Sequence, residues 1–102
     1  MADAIQVLLR RDCLGGERIV ELQLPRAVLL ADLDAVLGVA TRVILSELPR
    51  PFYKLDAPGR YLVTGILGDP RVRVTVRLAL RDSAEQTAVA IGQAMLAHGQ
   101  RA

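Results

Sequence analysis

Cys13 and His98 are the two side chains whose types could form a nucleophile and its general base, because an imidazole can take the proton of a thiol. Cys13 has Arg11 and Asp12 beside it, whereas His98 lies near the other end of the 102-residue chain. A reactive thiol also needs a lowered pKa and a third group that orients the base, and the sequence brings neither to Cys13. We therefore interpret Cys13 as a structural or incidental residue.

The sequence also lacks the residue patterns of a metal-binding or a phosphate-binding site. One His and one Cys do not supply the ligand spacing of a zinc site. Asp32 and Asp34 would point about 200° apart on a helix, so they do not form a carboxylate pair. Gly15-Gly16 leads into a strand-like segment and lacks the helix amides that a phosphate loop uses. The sequence thus predicts no catalytic residues, no metal site and no cofactor.

The stretch RVRVTVR, Arg71 to Arg77, alternates basic and apolar residues, which is typical of a half-buried strand. The net charge is only +2, so any electrostatic attraction must come from local clusters of charge. Lys54 is the only lysine among 13 basic residues, and an arginine bias of that kind weakens arguments from any one arginine. Apolar residues make up 52% of the chain and charged residues 24%, which predicts one globular domain over residues 1–102.

The elements that position the arginines begin with a predicted hairpin around Gly15-Gly16. A two-residue turn there places Arg10 opposite Glu21. The residues of one face are then apolar: Ile5, Val7, Leu9, Val20, Leu22 and Leu24. The other face is mixed: Gln6, Leu8, Arg10, Ile19, Glu21 and Gln23.

A helix and a loop are predicted next. Within residues 26–48, apolar side chains recur at helical spacing, at Leu30, Leu33, Leu37, Ile44 and Leu48. Residues 49–59 contain three prolines and no periodicity, which predicts a connecting loop that carries Phe52 and Tyr53.

A second hairpin is predicted around Gly68-Asp69, followed by a helix that ends near Gly99. The hairpin turns Leu62, Thr64, Ile66, Arg71, Arg73, Thr75 and Arg77 to one face. The helix has a lean stripe of Ala84, Ala88, Ile91 and Met95, so we expect it to pack closely. The order ββαββα predicts an α+β fold, a four-stranded antiparallel sheet with two helices on one face.

The open face of that sheet is the candidate site. It combines arginines with large aliphatic residues, which is the composition of a protein interface, although a merely solvated face is the alternative. The predicted partner-binding residues are Leu8, Arg10, Ile19, Leu62, Ile66, Arg71, Arg73 and Arg77, with Phe52 and Tyr53 from the loop.

The expected partner is a second copy of the chain, as a homodimer, or another protein. RNA or another anionic ligand is an alternative, weakened because the predicted face carries no aromatic ring for base stacking. A small enzyme with a site between subunits is a further alternative. Without a basic leader or an apolar run of membrane-spanning length, we expect a cytoplasmic protein that does not bind membranes.

Overall fold

The computed structural model describes residues 5–13, 15–47 and 49–101. Over these residues the chain forms one antiparallel sheet in the order β1-β2-β6-β5-β4-β3. Its strands are β1 (Gln6–Asp12), β2 (Arg18–Gln23), β3 (Thr41–Leu45), β4 (Phe52–Ala57), β5 (Tyr61–Ile66) and β6 (Arg71–Val76). Two 3-10 helices span Leu30–Ala35 and Leu78–Ser83, and the α-helix α1 spans Ala84–Arg101. The α+β character is confirmed, but the predicted four-stranded sheet with two packed helices is wrong.

Residues 26–48 do not form the predicted α-helix. They form the first 3-10 helix and then β3. Gly38 lies between the two elements with φ at +77°, a left-handed conformation that ends a helical path. The β-branched residues of β3 then favour extended backbone. Leu48, the last member of the predicted apolar stripe, lies outside the described residues.

Residues 49–59 are not only a loop, because β4 occupies their centre. Pro51 and Pro58 flank this strand instead of interrupting it, so each of its residues keeps an amide for the ladder. The side chains alternate from Phe52, which is half-buried, to Tyr53, which is fully buried. The prolines therefore mark the limits of a strand that pairs with both β3 and β5.

The β1–β2 hairpin has a different register from the predicted one. A β-bulge follows Val7 and moves Arg10 opposite Val20, so that Arg10 and Glu21 do not face each other. The Arg10 side chain consequently lies on the side of the sheet that α1 covers. There its guanidinium is 3.3 Å from the carboxylate of Glu85, in the first turn of α1.

The β5–β6 hairpin has the predicted register, with Thr64 opposite Arg73 and Val63 opposite Val74. The valines of β6 are buried, while Arg71 and its neighbours at alternate positions face the other side. The RVRVTVR stretch is therefore a central strand with one dry and one accessible face.

The core lies between the sheet and α1. The predicted apolar stripe of α1 is buried against the sheet. Gly92 lets α1 approach β2 closely, because a Cβ at this position would lie 3.1 Å from Leu24 Cδ2. None of the helices in the described ranges is long and apolar enough to cross a membrane. The main buried side chains of the sheet are Val20, Leu22, Tyr53, Leu55, Tyr61, Val63, Val72, Val74 and Val76.

A single α-helix, about 10 Å wide, is too narrow to cover six strands spaced about 4.8 Å apart. α1 packs on β2, β6 and the first 3-10 helix. The segment between β2 and β3 supplies the remaining cover, since its Val28, Leu33 and Val36 join the same buried cluster as Leu55.

Arg26 and Asp32 hold this segment in place. Asp32 is 1% exposed, and its carboxylate accepts hydrogen bonds from Arg26 Nη1 at 2.6 Å and from the Leu29 amide at 2.8 Å. Arg26 Nη2 also donates to the Met95 carbonyl at 3.2 Å, which ties the segment to α1. Burial raises the pKa of Asp32, but these hydrogen bonds and the charges of Arg26 and His98 hold that pKa below its ordinary value.

Tyr53 is the largest fully buried side chain, and its hydroxyl has no hydrogen-bond partner among the described residues. Burial, and then the charges of Asp69 and Asp32, raise its pKa strongly. Its ring occupies the space beside Gly65, where a Cβ would lie 2.7 Å from Tyr53 Cζ. Tyr61, by contrast, donates its hydroxyl hydrogen to the Leu37 carbonyl.

We predict that Asp32→Asn lowers the free energy of unfolding by about 2 kcal/mol, because it removes charged hydrogen bonds and leaves Arg26 without its partner. Asp34→Asn is the matched control: its ion pair with Arg42 has the same 2.6 Å distance but is exposed, so the loss should stay below about 0.5 kcal/mol. Urea unfolding at neutral pH measures both.

The pH dependence of this contribution has a definite sign. Because the folded-state pKa of Asp32 is depressed, its stabilisation is complete above the ordinary carboxyl pKa of about 4 and is lost as the pH falls through the folded-state value. The difference between wild type and Asp32→Asn should therefore shrink below about pH 4. A difference that stays constant to low pH would contradict this.

We predict that Tyr53→Phe leaves stability unchanged or raises it by up to about 1 kcal/mol, since it removes a buried hydroxyl that has no hydrogen-bond partner in the part of the chain that the structure describes. Tyr61→Phe should instead lower stability by about 1 kcal/mol, because it deletes a donated hydrogen bond. Thermal and urea unfolding of both variants test the contrast, and an equal loss in the two would refute it.

Candidate functional site

The side of the sheet opposite α1, here called the outer face, carries the candidate site. The strand pairing and the alternation of side chains define its members. From β1 to β3 they are Gln6, Leu9 and Arg11; Ile19, Glu21 and Gln23; Arg71, Arg73 and Thr75; Leu62, Thr64 and Ile66; Phe52, Lys54 and Asp56; and Thr41, Val43 and Leu45.

Apolar residues gather at the β5–β4–β3 end of the outer face. Ile66 lies opposite Phe52, and Phe52 lies opposite Leu45, so the three form one row across neighbouring strands. Val43, two residues from Leu45, is 37% exposed, and Leu45 is 48% exposed. We call Val43, Leu45, Phe52 and Ile66 the apolar cluster. Phe52 is an aromatic residue on a face that was predicted to have none.

A charged row runs beside the apolar cluster. Glu21 lies opposite Arg73, and Arg73 Nη2 is 3.1 Å from Glu21 Oε2. Thr64 and Lys54 continue the row towards β3. In the described part of the chain, the Arg71 guanidinium has no carboxylate within ion-pair distance, so Arg71 is a cation available to a partner.

A shallow groove of about 340 Å³ is lined by residues of both rows. Phe52 and Ile66 form its apolar side, and Arg71 and Arg73 form its cationic side. Asp69, at one end, accepts the Arg71 amide at 2.8 Å and lies 3.0 Å from Arg50 Nη2. The Arg71 amide and then Arg50 lower the pKa of Asp69. The groove is completed by Glu21, Thr64 and Gly65.

Most of the predicted partner-binding residues lie on or beside the outer face. Leu62 and Ile66 are half-buried there, and Arg71 and Arg73 are exposed. Arg77 follows β6 at the rim and forms ion pairs with Glu17 and, at 3.6 Å, with Asp56. Ile19 is on the outer face but only 8% exposed, which leaves it little surface for a partner.

Three of the predicted partner-binding residues lie elsewhere than predicted. Arg10 lies on the helix-covered side because of the β-bulge, and Tyr53 is buried in the core instead of being exposed on a loop. Leu8 sits in the bulge itself and is 46% exposed, outside the regular alternation. Val43 and Leu45 were not predicted as site residues, because the helical spacing of residues 26–48 predicted a helix there. The β-branched residues in TRVIL were a signal for a strand.

Cys13 and His98 lie apart from the groove. Cys13 is half-buried at the β1–β2 turn, where its amide donates to the Glu17 carbonyl at 2.7 Å. His98 belongs to α1, on the other side of the sheet. Among the described residues there is no group of three His, Cys, Asp or Glu side chains that could hold a metal ion. The groove thus offers apolar contact and the guanidinium of Arg71.

Comparison with known proteins adds no relative: no family model matches the chain, and no curated protein or solved structure is similar to it.

We predict that a double-mutant cycle on Arg73 and Glu21 gives a coupling energy of about 0.5 kcal/mol, the size expected for a partly exposed cross-strand pair. The same cycle on Arg10 and Glu21 should give a value near zero, since the bulge separates them. Urea unfolding of the single and double alanine variants provides both values. A larger coupling for Arg10 with Glu21 would restore the simpler hairpin register.

Proposed function

We propose that this domain is a non-enzymatic protein-interaction module that binds through its outer face, as a homo-oligomer or as an accessory subunit of a larger assembly. The observation that carries the proposal is the apolar cluster, in which Val43 and Leu45 are exposed beside the half-buried Phe52 and Ile66. Apolar surface of this kind, rimmed by polar groups, is typical of protein contact sites.

The energetics favour the aliphatic and aromatic residues over the charges. Phe52 and Ile66 are half-buried in the free protein, so burying the rest of their surface against a partner contributes about 1.5 to 3 kcal/mol before the costs of association. The exposed pair of Arg73 with Glu21 contributes less than about 1 kcal/mol, and it is already formed without a partner. Affinity should therefore depend on the apolar cluster, with the charged row fixing the orientation.

The groove adds a second element of recognition. An apolar side chain entering it would contact Phe52 and Ile66, while a carboxylate nearby on the partner would meet Arg71. A partner segment that combines an aliphatic or aromatic residue with an acidic one fits this arrangement.

RNA or another polyanion is supported less well. Arg73 and Arg77 are paired with carboxylates, which leaves Arg71 and Lys54 as the cations of the central outer face that have no partner in the described ranges. Phe52 is a single ring, whereas stacking platforms use rings on successive positions. Salt distinguishes the two functions, because binding through phosphate contacts weakens steeply with salt and binding through an apolar cluster does not.

We predict that Ile66→Asp lowers the association state of the protein without unfolding it, because it places a charge in the centre of the apolar cluster. Arg77→Ala should change association little, since Arg77 lies at the rim and is occupied by Glu17 and Asp56. Sedimentation velocity over a range of concentrations measures the association state, and urea unfolding confirms that both variants fold. Identical sedimentation of Ile66→Asp and wild type, in 50 mM and in 500 mM salt, would contradict self-association through this face.

A further inference from the structure

The two edge strands of the sheet differ in how they are protected against pairing with another strand. β1 is interrupted by the bulge after Val7 and carries three consecutive charged residues, Arg10, Arg11 and Asp12, all of which discourage such pairing. β3 has neither device: it pairs regularly with β4 over its whole length, and Arg42 is its one charged residue. One edge is therefore blocked and the other is open.

The hydrogen bonding of β4 shows which backbone groups β3 leaves free. The Leu67 amide donates to the Pro51 carbonyl, so in β4 the odd-numbered residues bond to β5 and the even-numbered ones to β3. By the register, residues 41, 43 and 45 then bond back to β4. The amides and carbonyls of Arg42 and Ile44 consequently point away from the sheet, in a stretch that a partner strand can pair with.

We propose that β3 pairs antiparallel with β3 of a second copy, so that the two sheets join into one. Val43 lies on the two-fold axis, facing Val43 of the second copy, and Arg42 exchanges backbone hydrogen bonds with Ile44 of the second copy. The proposal rests on the proposed function in one respect, namely that this domain associates with proteins through the sheet, and it names the partner and the contact strand.

The sequence of β3 is complementary to itself in this arrangement. Its charged residue faces an isoleucine across the new contact, so no like charges are opposed. The Arg42 guanidinium is also held 2.6 Å from Asp34 within its own chain, which neutralises it. On the outer face, Thr41 meets Leu45 of the second copy, and the two apolar clusters become continuous across the axis. A strand from an unrelated protein would need to match each of these features separately.

The test is sedimentation equilibrium in the Ile66→Asp background, in which the outer face no longer contributes to association. The β3 contact is intact in this parent variant, which is therefore expected to be a dimer, whereas the wild type, with both contacts, is expected to form a larger oligomer. Adding Arg42→Pro removes an amide that points out of the sheet, not one that β4 needs, and is expected to raise the dimer dissociation constant by more than about tenfold. Arg42→Gln, which removes the same charge and ion pair but keeps the amide, is the matched control and should leave the dimer intact.

A second variant controls for the case in which proline unfolds β3 instead of only removing the Arg42 amide. Val43→Glu places a carboxylate opposite Lys54 of the same chain, which favours the folded sheet, but it opposes two carboxylates across the two-fold axis. It is expected to give a folded monomer, with a circular dichroism spectrum like that of the parent.

The possible outcomes separate the two proposals. A monomeric Ile66→Asp parent, or a dimer that both Arg42→Pro and Val43→Glu leave intact, overturns the β3 contact while the outer-face proposal stands. A wild type that matches Ile66→Asp in mass but dissociates on Arg42→Pro supports the β3 contact and counts against self-association through the outer face.

Discussion

The ion pair between Arg26 and the buried carboxylate of Asp32 anchors the segment that completes the cover of this sheet. One α-helix leaves the β4 and β5 side of the sheet bare, so the chain between β2 and β3 must lie across it. That segment has little regular hydrogen bonding of its own beyond a short 3-10 helix. The pair joins it to its own turn through the Leu29 amide and to α1 through the Met95 carbonyl. The segment and α1 both lie on the inner side of the sheet, so the outer side stays exposed.

No element of the described chain covers the outer face, so its charged and apolar side chains are in contact with solvent. Arg73 is paired with Glu21 on the neighbouring strand, and the apolar residues of the face collect where β3, β4 and β5 run side by side. β3 lies farthest from α1 and contributes exposed residues both to the outer face and to the edge. The apolar cluster and the open edge are therefore contiguous parts of one surface, and a partner bound at either one would contact β3.

The sequence predicted correctly the elements whose patterns are local. In the β5–β6 hairpin, apolar and polar residues alternate without a break around one glycine turn, which fixes the strand register. The apolar stripe of α1 recurs at a single period, which fixes the buried face of the helix. Residues 26–48 were misread because Leu30, Leu33 and Leu37 satisfy helical spacing over a 3-10 turn and the stretch around Gly38 joins two different elements. β4 was hidden by the prolines at its ends. The bulge in β1 could not be predicted, because no residue type there demands it, and it alone moved Arg10 across the sheet.

That bulge also bears on how large an assembly of this protein can grow. A sheet with two equivalent open edges adds copies without limit and produces fibres, whereas a sheet with one open edge stops growing once that edge is used. Here the kink after Val7 and the charges that follow it close one end of the sheet. Edge-to-edge pairing then stops at two copies, because the bulge in β1 leaves no second strand edge to which a third copy could add.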